Sequence, residues 1–317
     1  EDRDRVLPLE PTRSVGRLAP QLHGRVGELA APNLLSGWLG HDQPAIRFEE
    51  APEVIQEFIG RGFYERVVRL GQRTAEMHLA LASDNVNPSF APEPFTPNYQ
   101  RSLYSSLRKL LRDRFGLLEN SIQKLAPSIQ GFAKEVLSLE EKIMESFGEV
   151  YQLKMNAVKI RIHGDYHLGQ VHFTGKDFVI IDFEGEPGFS FSERRLKKNA
   201  FKDVAGMMGS FHSAAFGKLL LNENYGDRDL ELLEQAAEQW QHYVSRFYLG
   251  AYMERMGMGT NLSEQDDILI RTFLIEKAIY ELGYELNGRP DWTIVPLRGI
   301  HYLVSRYVRE KEDKKKK

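Results

Sequence analysis

Two carboxylates and one amide in the middle of the chain are the side chains best suited to catalysis. Asp165 and Gln170 lie in the segment HGDYHLGQV at 163–171, and Asp182 lies in VIIDFEGEP at 179–187. Phosphoryl transfer requires an Asp that orients the attacking hydroxyl, together with oxygen ligands for Mg²⁺ on the phosphates. These three side chains supply such oxygens, so their order indicates phosphoryl transfer.

A short β-hairpin is predicted to carry the second Asp close to the first motif. β-branched and aromatic residues cluster at 171–173 and at 178–183, and the turn-forming sequence TGKD lies between them. Residues 158–162 alternate in polarity and indicate another strand before the first motif. The predicted catalytic residues therefore flank a small β-element.

Helical spacing of apolar residues predominates in the rest of the chain. It predicts one helix over 63–82, three helices within 100–150 of which the last is 132–147, and further helices from 202 to 287. Four prolines in 84–99 predict a surface loop. The catalytic hairpin is thus expected inside a helical domain.

The two ends of the chain and one short apolar segment lack the helical spacing of apolar residues seen in the rest of the chain. Residues 1–52 show no sustained period and are predicted to be irregular, whereas 54–60 is predicted to be a short strand that ends at Gly60. Residues 309–317 form a charged run, which predicts a solvated tail.

Composition excludes several functional classes. The chain has 317 residues with 42 Lys and Arg against 45 Asp and Glu, and a net charge of −3 provides no general attraction to nucleic acid or anionic membranes. It has no Cys, which removes thiolate zinc sites and Cys nucleophiles. We find no apolar run of about 18 residues and no signal-peptide pattern, and expect a cytoplasmic protein without nucleic-acid or membrane partners.

The two motifs resemble those of the bacterial maltokinase family, which is often fused to trehalose synthase. This family belongs to the aminoglycoside-phosphotransferase branch of protein-kinase-like proteins, where HGD is usually followed by four residues and Asn; Gln170 at that position resembles maltokinases. Segments 71–82 and 276–292 also match, and the resemblance covers most of 52–305. It implies an α+β, protein-kinase-like fold whose helical C-lobe occupies 61–308 and contains the catalytic-loop hairpin.

The resemblance implies a reaction and a role for each motif residue. Asp165 would accept the proton of the sugar hydroxyl, and Gln170 and Asp182 would hold Mg²⁺ on the phosphates of ATP. Glu184 would support these metal ligands. The implied reaction transfers the γ-phosphate of ATP to the anomeric hydroxyl of maltose, and the product is maltose 1-phosphate.

The resemblance also assigns supporting and substrate-binding residues. The His163 side chain would brace the catalytic loop, and Asp203 would hydrogen-bond the backbone of that loop. Tyr280 and Tyr284 stand four residues apart on one helical face, where two rings can contact a disaccharide. Arg289 follows the helix and would close over the ligand.

The nucleotide base would meet backbone groups of a hinge-like strand at 53–60, at Gln56, Glu57 and Phe58. Departing from the family pattern, residues 1–52 contain no Lys and are too short for the five-stranded N-lobe. We therefore expect the ATP-gripping N-lobe to be truncated or absent.

Other interpretations remain open. The chain could be a kinase of an aminoglycoside, choline or a different sugar, or a non-catalytic lobe that binds maltose or docks to trehalose synthase. A metal site of His163, His167 and His172 is less favoured, because no Asn-His pair accompanies it. Arg73 and His78 are interpreted as packing or ion-pairing residues.

Overall fold

Helices dominate residues 45–220 and 227–316, which are the parts of the chain that the computed structural model describes. The four strands within these ranges have two or three residues each and are β1 (Glu93–Pro94), β2 (Val158–Lys159), β3 (Val171–Phe173) and β4 (Phe178–Ile180). The helices, in chain order, are α1 (Glu53–Ile59), α2 (Arg61–Leu81), α3 (Pro97–Ser121), α4 (Pro127–Leu137), α5 (Glu140–Gln152), α6 (Phe191–Arg194), α7 (Phe201–Leu220), α8 (Asp227–Met256), α9 (Glu264–Gly288) and α10 (Ile294–Lys316).

The chain divides into two units. The first unit comprises Glu1–Glu93 and Lys159–Ser263, and the second comprises Pro94–Val158 and Glu264–Lys317. Both motifs singled out in the sequence lie in the first unit, whereas Tyr280, Tyr284 and Arg289 lie in the second. No helix formed by the described residues combines the length and apolar composition needed to cross a membrane.

The core of the first unit forms where α2 packs against α8. Val67 and Leu70 of α2 are fully buried, as is Tyr248 of α8. At Gly71 a Cβ atom would lie 2.3 Å from the backbone oxygen of Tyr248, so only glycine permits this approach of the two helices. The sequence prediction of a long helix over 63–82 is confirmed by α2.

The hairpin of β3 and β4 buries one of its faces, whereas His172 and Val179 on the opposite face are exposed. Val171 pairs with Ile180 in the antiparallel register, and the side chains of Val171 and Phe178 are buried. At the turn, Arg73 of α2 donates two hydrogen bonds to the Asp177 carboxylate, of 2.8 and 2.7 Å. This guanidinium lowers the pKa of Asp177 to about 2. The predicted hairpin is therefore confirmed, and a bidentate ion pair fixes its turn.

The second unit is a helical bundle. Its fully buried residues include Leu111 of α3, Phe147 of α5 and Leu282 of α9. The Arg271 guanidinium bridges the carboxylates of Glu149 and Asp267, 3.0 Å from the latter. Such pairing compensates the cost of covering a guanidinium with protein.

The hinge-like strand predicted over 53–60 is wrong, because these residues form α1 and end at Gly60, which has φ 76°. Ile55, Phe58 and Ile59 are buried, and their spacing follows one face of a helix. The sequence prediction followed the cluster of β-branched residues and not the helical spacing of the apolar residues. The prediction that Gln56, Glu57 and Phe58 offer free strand backbone to a nucleotide therefore loses its basis, since these backbone groups lie within a helix.

Four other expectations about the elements change. The helix predicted over 132–147 is interrupted between α4 and α5, and the strand predicted over 158–162 is shortened to β2, followed by an isolated bridge from Ile160 to Lys198. The charged tail predicted for 309–317 is helical through Lys316, as part of α10. The irregular segment predicted over 1–52 lies outside the described residues up to residue 44, and its last part contains a short 3₁₀ helix, Phe48–Glu50.

Candidate active site

The loop that carries Asp165 is held in place by the buried carboxylate of Asp203 in α7. The backbone N–H of His163 donates to Oδ2 of Asp203 at 2.7 Å, and the N–H of Gly164 donates to Oδ1 at 2.9 Å. Asp203 is 2 % exposed. Hydrogen bonds to an ionised acceptor are among the strongest in proteins, so the loop has a fixed position relative to α7.

A buried histidine completes the surroundings of this carboxylate. Nε2 of His78 lies 3.2 Å from Oδ2 of Asp203, and Nδ1 of the same ring lies 3.0 Å from the hydroxyl of Tyr252. His78 is fully buried. Asp203 therefore has three nitrogen neighbours, which compensates the cost of burying its charge.

The His163 ring joins the two motifs. Its Nε2 lies 2.8 Å from the carbonyl oxygen of Ile181, which can only accept, so Nε2 carries the proton. Nδ1 then accepts from the backbone N–H of Asp165 at 3.4 Å. The ring also contacts Phe183 in a tilted arrangement, with 4.9 Å between the ring centroids. One side chain thus links the loop of Asp165 to the segment after the hairpin.

Glycines allow the backbones to approach at this junction. Gly164 and Gly185 have φ values of 89° and 80°, and a Cβ atom on Gly164 would lie 3.3 Å from Cα of Gly185. On α7, a Cβ atom at Gly206 would lie 2.5 Å from the backbone oxygen of Tyr166. The loop of Asp165 therefore packs directly on the backbone of α7.

Asp165 itself has a histidine beside its carboxylate. Its side chain is 13 % exposed, and Oδ2 lies 3.7 Å from Nε2 of His167. Because Nδ1 of His167 accepts from the N–H of Gly169 at 3.0 Å, the proton of the neutral ring sits on Nε2 and faces Asp165. This carboxylate is positioned to accept a proton from a bound hydroxyl group.

Gln170 and Asp182 are brought together by the register of the hairpin. The N–H of Ile181 donates to the backbone oxygen of Gln170 at 3.0 Å, which extends the pairing by one residue beyond β3 and β4. The side-chain amide of Gln170 then donates to Oδ2 of Asp182 at 3.0 Å. Asp182 has φ 64°, a left-handed conformation that is unusual for a residue other than glycine and is often found at functional sites.

This pair provides the donor set that Mg²⁺ prefers. A carboxylate and an amide oxygen are hard ligands, and rotation of the Gln170 amide would turn its oxygen toward a cation at Asp182. Among the described residues, no three or more His, Cys, Asp or Glu side chains cluster as a metal site. The pair fits a cation that takes its remaining ligands from water and substrate phosphates, as Mg²⁺ commonly does.

The chain has the fold of a glucosamine kinase. A solved structure of glucosamine kinase in complex with glucosamine, ADP and inorganic phosphate superposes with a TM-score of 0.65 over 95 % of this chain and 61 % of that chain, at 20 % identity. A second crystal structure of glucosamine kinase gives a TM-score of 0.64. The kinase-like α+β fold, mostly helical, is therefore confirmed.

Two curated proteins also align with the chain, and both are glucosamine kinases. The protein from Streptacidiphilus jiangxiensis is 23 % identical over 229 residues, which cover 72 % of this chain and 47 % of that protein. The protein from Mycolicibacterium smegmatis is 28 % identical over 134 residues, 42 % of this chain and 32 % of that protein. The chain thus spans less than half of these relatives. No family model matches it.

Three further side chains predicted to belong to the site, those of Glu184, Tyr280 and Tyr284, lie in other surroundings. Glu184 lies 3.9 Å from Arg194 rather than in the Gln170–Asp182 pair. On α9 of the second unit, Tyr280 is half-buried and Tyr284 is half-exposed.

Arg289, predicted to close over a ligand, is engaged by its own helix. It binds both carboxylate oxygens of Glu285, at 2.9 and 2.6 Å, and its guanidinium lies 4.4 Å from the ring of Trp292. These contacts fix Arg289 at the end of α9.

Several supporting residues were missed or undervalued from the sequence. The hydroxyl of Ser210 in α7 accepts from the N–H of Leu168 at 3.1 Å, and the Thr74 hydroxyl lies 2.9 Å from that of Tyr166. Thr74 and His78 are polar residues four apart on the buried face of α2, and this spacing was the available signal.

Proposed function

We propose that this chain is the phosphoryl-transfer lobe of an ATP-dependent sugar kinase and that Asp165 is its catalytic base. The observation that carries the proposal is the fixation of the Asp165 loop by Asp203, beside the Gln170–Asp182 pair at the end of the hairpin. A kinase needs this combination of a proton acceptor and cation ligands in fixed relative positions. The shared fold with glucosamine kinase supports the same conclusion.

In the proposed reaction, Asp165 orients the acceptor hydroxyl and takes its proton as the oxygen attacks the γ-phosphorus. The bond from that phosphorus to the β–γ bridging oxygen breaks, and ADP leaves. The Nε2 atom of His167 lies 3.7 Å from the same carboxylate. Gln170 and Asp182 would hold Mg²⁺, which when bound neutralises phosphate charge. His163 keeps these two groups of residues in register through its bond to Ile181.

For the acceptor we propose glucosamine. The two curated relatives and the two solved structures described above are glucosamine kinases, and one of those structures contains glucosamine and ADP. This supports the alternative of another small-molecule sugar kinase better than the maltokinase interpretation. Maltose, with maltose 1-phosphate as its product, is the second candidate, because Gln170 occupies the position at which the motif resembles maltokinases.

The acceptor is tested by initial rates with ATP and Mg²⁺ and with glucosamine, maltose or no sugar. We expect sugar-dependent ADP release with glucosamine, and loss of at least about a hundredfold in the variant Asp165→Asn. Asp113→Asn, at an exposed position of α3, is the matched control and should retain the wild-type rate. If only maltose supports turnover, maltose and not glucosamine is the acceptor. If glucosamine binds without turnover, the result favours the interpretation of the chain as a non-catalytic, sugar-binding lobe.

A further inference from the structure

Arg114 of α3 lies flat across Gly283 of α9, within the second unit. A Cβ atom on Gly283 would fall 2.3 Å from Cδ, 2.5 Å from Nε and 3.0 Å from Cζ of Arg114. The guanidinium group therefore occupies the space that any other residue at position 283 would fill. Gly283 has an ordinary helical conformation, so its role is to admit this side chain rather than to permit an unusual φ.

The Nε atom of Arg114 lacks a hydrogen-bond acceptor among the described residues. This atom is also shielded from solvent. The Nε atom of Arg271, in the same unit, also lacks a partner, but the Nη1 atom of that guanidinium pairs with Asp267. A buried nitrogen without an acceptor costs stability.

The position of Arg114 coincides with the helical face that carries the proposed acceptor residues. Tyr280, Gly283 and Asn287 follow one another at three- and four-residue spacing, so they share one face of α9, and Tyr284 adjoins it. The Asn287 amide donates to the backbone oxygen of Gly283 at 2.8 Å. An aromatic ring and a guanidinium on neighbouring positions of a helical face together offer a stacking surface and a fork of donors.

We propose that Arg114 is an acceptor-binding residue whose guanidinium donates hydrogen bonds to hydroxyl oxygens of the sugar that lies against Tyr280 and Tyr284. Gly283 is the residue that makes room for it. The ligand class is a sugar with neighbouring hydroxyl groups, whose oxygens match the donor fork. The inference rests on the proposed sugar-kinase function and adds a binding residue outside both catalytic motifs.

Two variants separate this role from packing. Arg114→Met keeps most of the stem and removes the donors, whereas Gly283→Ala keeps the arginine and displaces it, because the overlapping atoms belong to the end of a flexible side chain. The matched controls are Arg112→Met, an exposed arginine of α3, and Gly116→Ala, where a new Cβ meets nothing within 4 Å.

The measurement is titration calorimetry of the full chain with glucosamine and, separately, with maltose, accompanied by thermal melts of every variant. We expect Arg114→Met and Gly283→Ala to raise the dissociation constant of the bound sugar about tenfold with folding retained, and the controls to leave it unchanged. An unchanged dissociation constant in Arg114→Met, or no binding of either sugar by the wild-type chain, would overturn the inference. Sugar binding without phosphoryl transfer would overturn only the proposed function.

Discussion

His78 and Asp203 form a buried pair behind the catalytic loop, with 3.2 Å between Nε2 and Oδ2 and neither side chain more than 1 % exposed. The same Asp203 carboxylate receives the backbone N–H groups of His163 and Gly164. Helix α2 thereby contacts the Asp165 loop through a residue of α7. Substitutions in this group should alter the loop without removing any residue that touches a substrate.

The first prediction concerns Asp203→Asn. An amide cannot accept at both of its ends, so one backbone N–H of the loop loses its acceptor, and we expect unfolding to require about 1–3 kcal/mol less free energy. Urea denaturation measures this change, and Asp113→Asn serves as control. A stability equal to that of the wild type would contradict the inferred role of Asp203.

The second prediction is a pH dependence at the hairpin turn. Arg73 lowers the pKa of Asp177 from 3.8 to about 2, so the ion pair stabilises the fold fully above pH 4, and this contribution is lost as pH falls from 4 toward 2. Asp177→Asn should therefore lower the urea midpoint at pH 6 but have progressively less effect below pH 4. A difference from the wild type that stays constant between pH 6 and pH 2 would show that the pair does not act in this way.

The third prediction compares two glycines of the first unit. Gly206→Ala places a Cβ 2.5 Å from the backbone oxygen of Tyr166, which cannot move without shifting the catalytic loop, and we expect a loss of about 1–3 kcal/mol. At Gly62 a new Cβ meets nothing within 4 Å, so Gly62→Ala should be neutral or slightly stabilising. Equal thermal shifts for the two variants would contradict the close packing of loop and helix.

The fourth prediction concerns the cation. Gln170→Ala and Asp182→Ala should raise the Mg²⁺ concentration needed for half-maximal phosphoryl transfer, and chelation by EDTA should abolish transfer reversibly. The Michaelis constant for the sugar should change little, because these side chains are assigned to the phosphates. If both variants changed only the Michaelis constant for the sugar, Gln170 and Asp182 could not be assigned to cation binding.

The hairpin and the proximity of its flanking side chains could be predicted from the sequence because the signals are local. Asp165, Gln170 and Asp182 lie within 18 residues, and a hairpin with a clear turn signal connects them. Turn residues and β-branched strands act over short range, so the register that places Gln170 beside Asp182 could be anticipated. The conformation of Asp182 could not, since φ 64° is imposed by its surroundings.

The error at 54–60 has a different physical origin. Three β-branched residues favour a strand locally, but burial of Ile55, Phe58 and Ile59 on one side favours a helix, and packing outweighs intrinsic propensity. The contact between Arg114 and Gly283 was also inaccessible, because it joins residues 169 positions apart and has no local pattern. Such long-range contacts depend on the assembled bundle.

The most direct test of the central claim is a single-turnover experiment with the full chain in excess over ATP, in the presence of Mg²⁺ and glucosamine, followed by phosphorus NMR. We predict a sugar phosphate signal that appears with the wild-type chain and with Asp113→Asn but is absent with Asp165→Asn. A sugar phosphate signal of equal rate with Asp165→Asn would contradict the assignment of Asp165 as the catalytic base. Absence of the signal from the wild-type chain would contradict phosphoryl transfer by this chain.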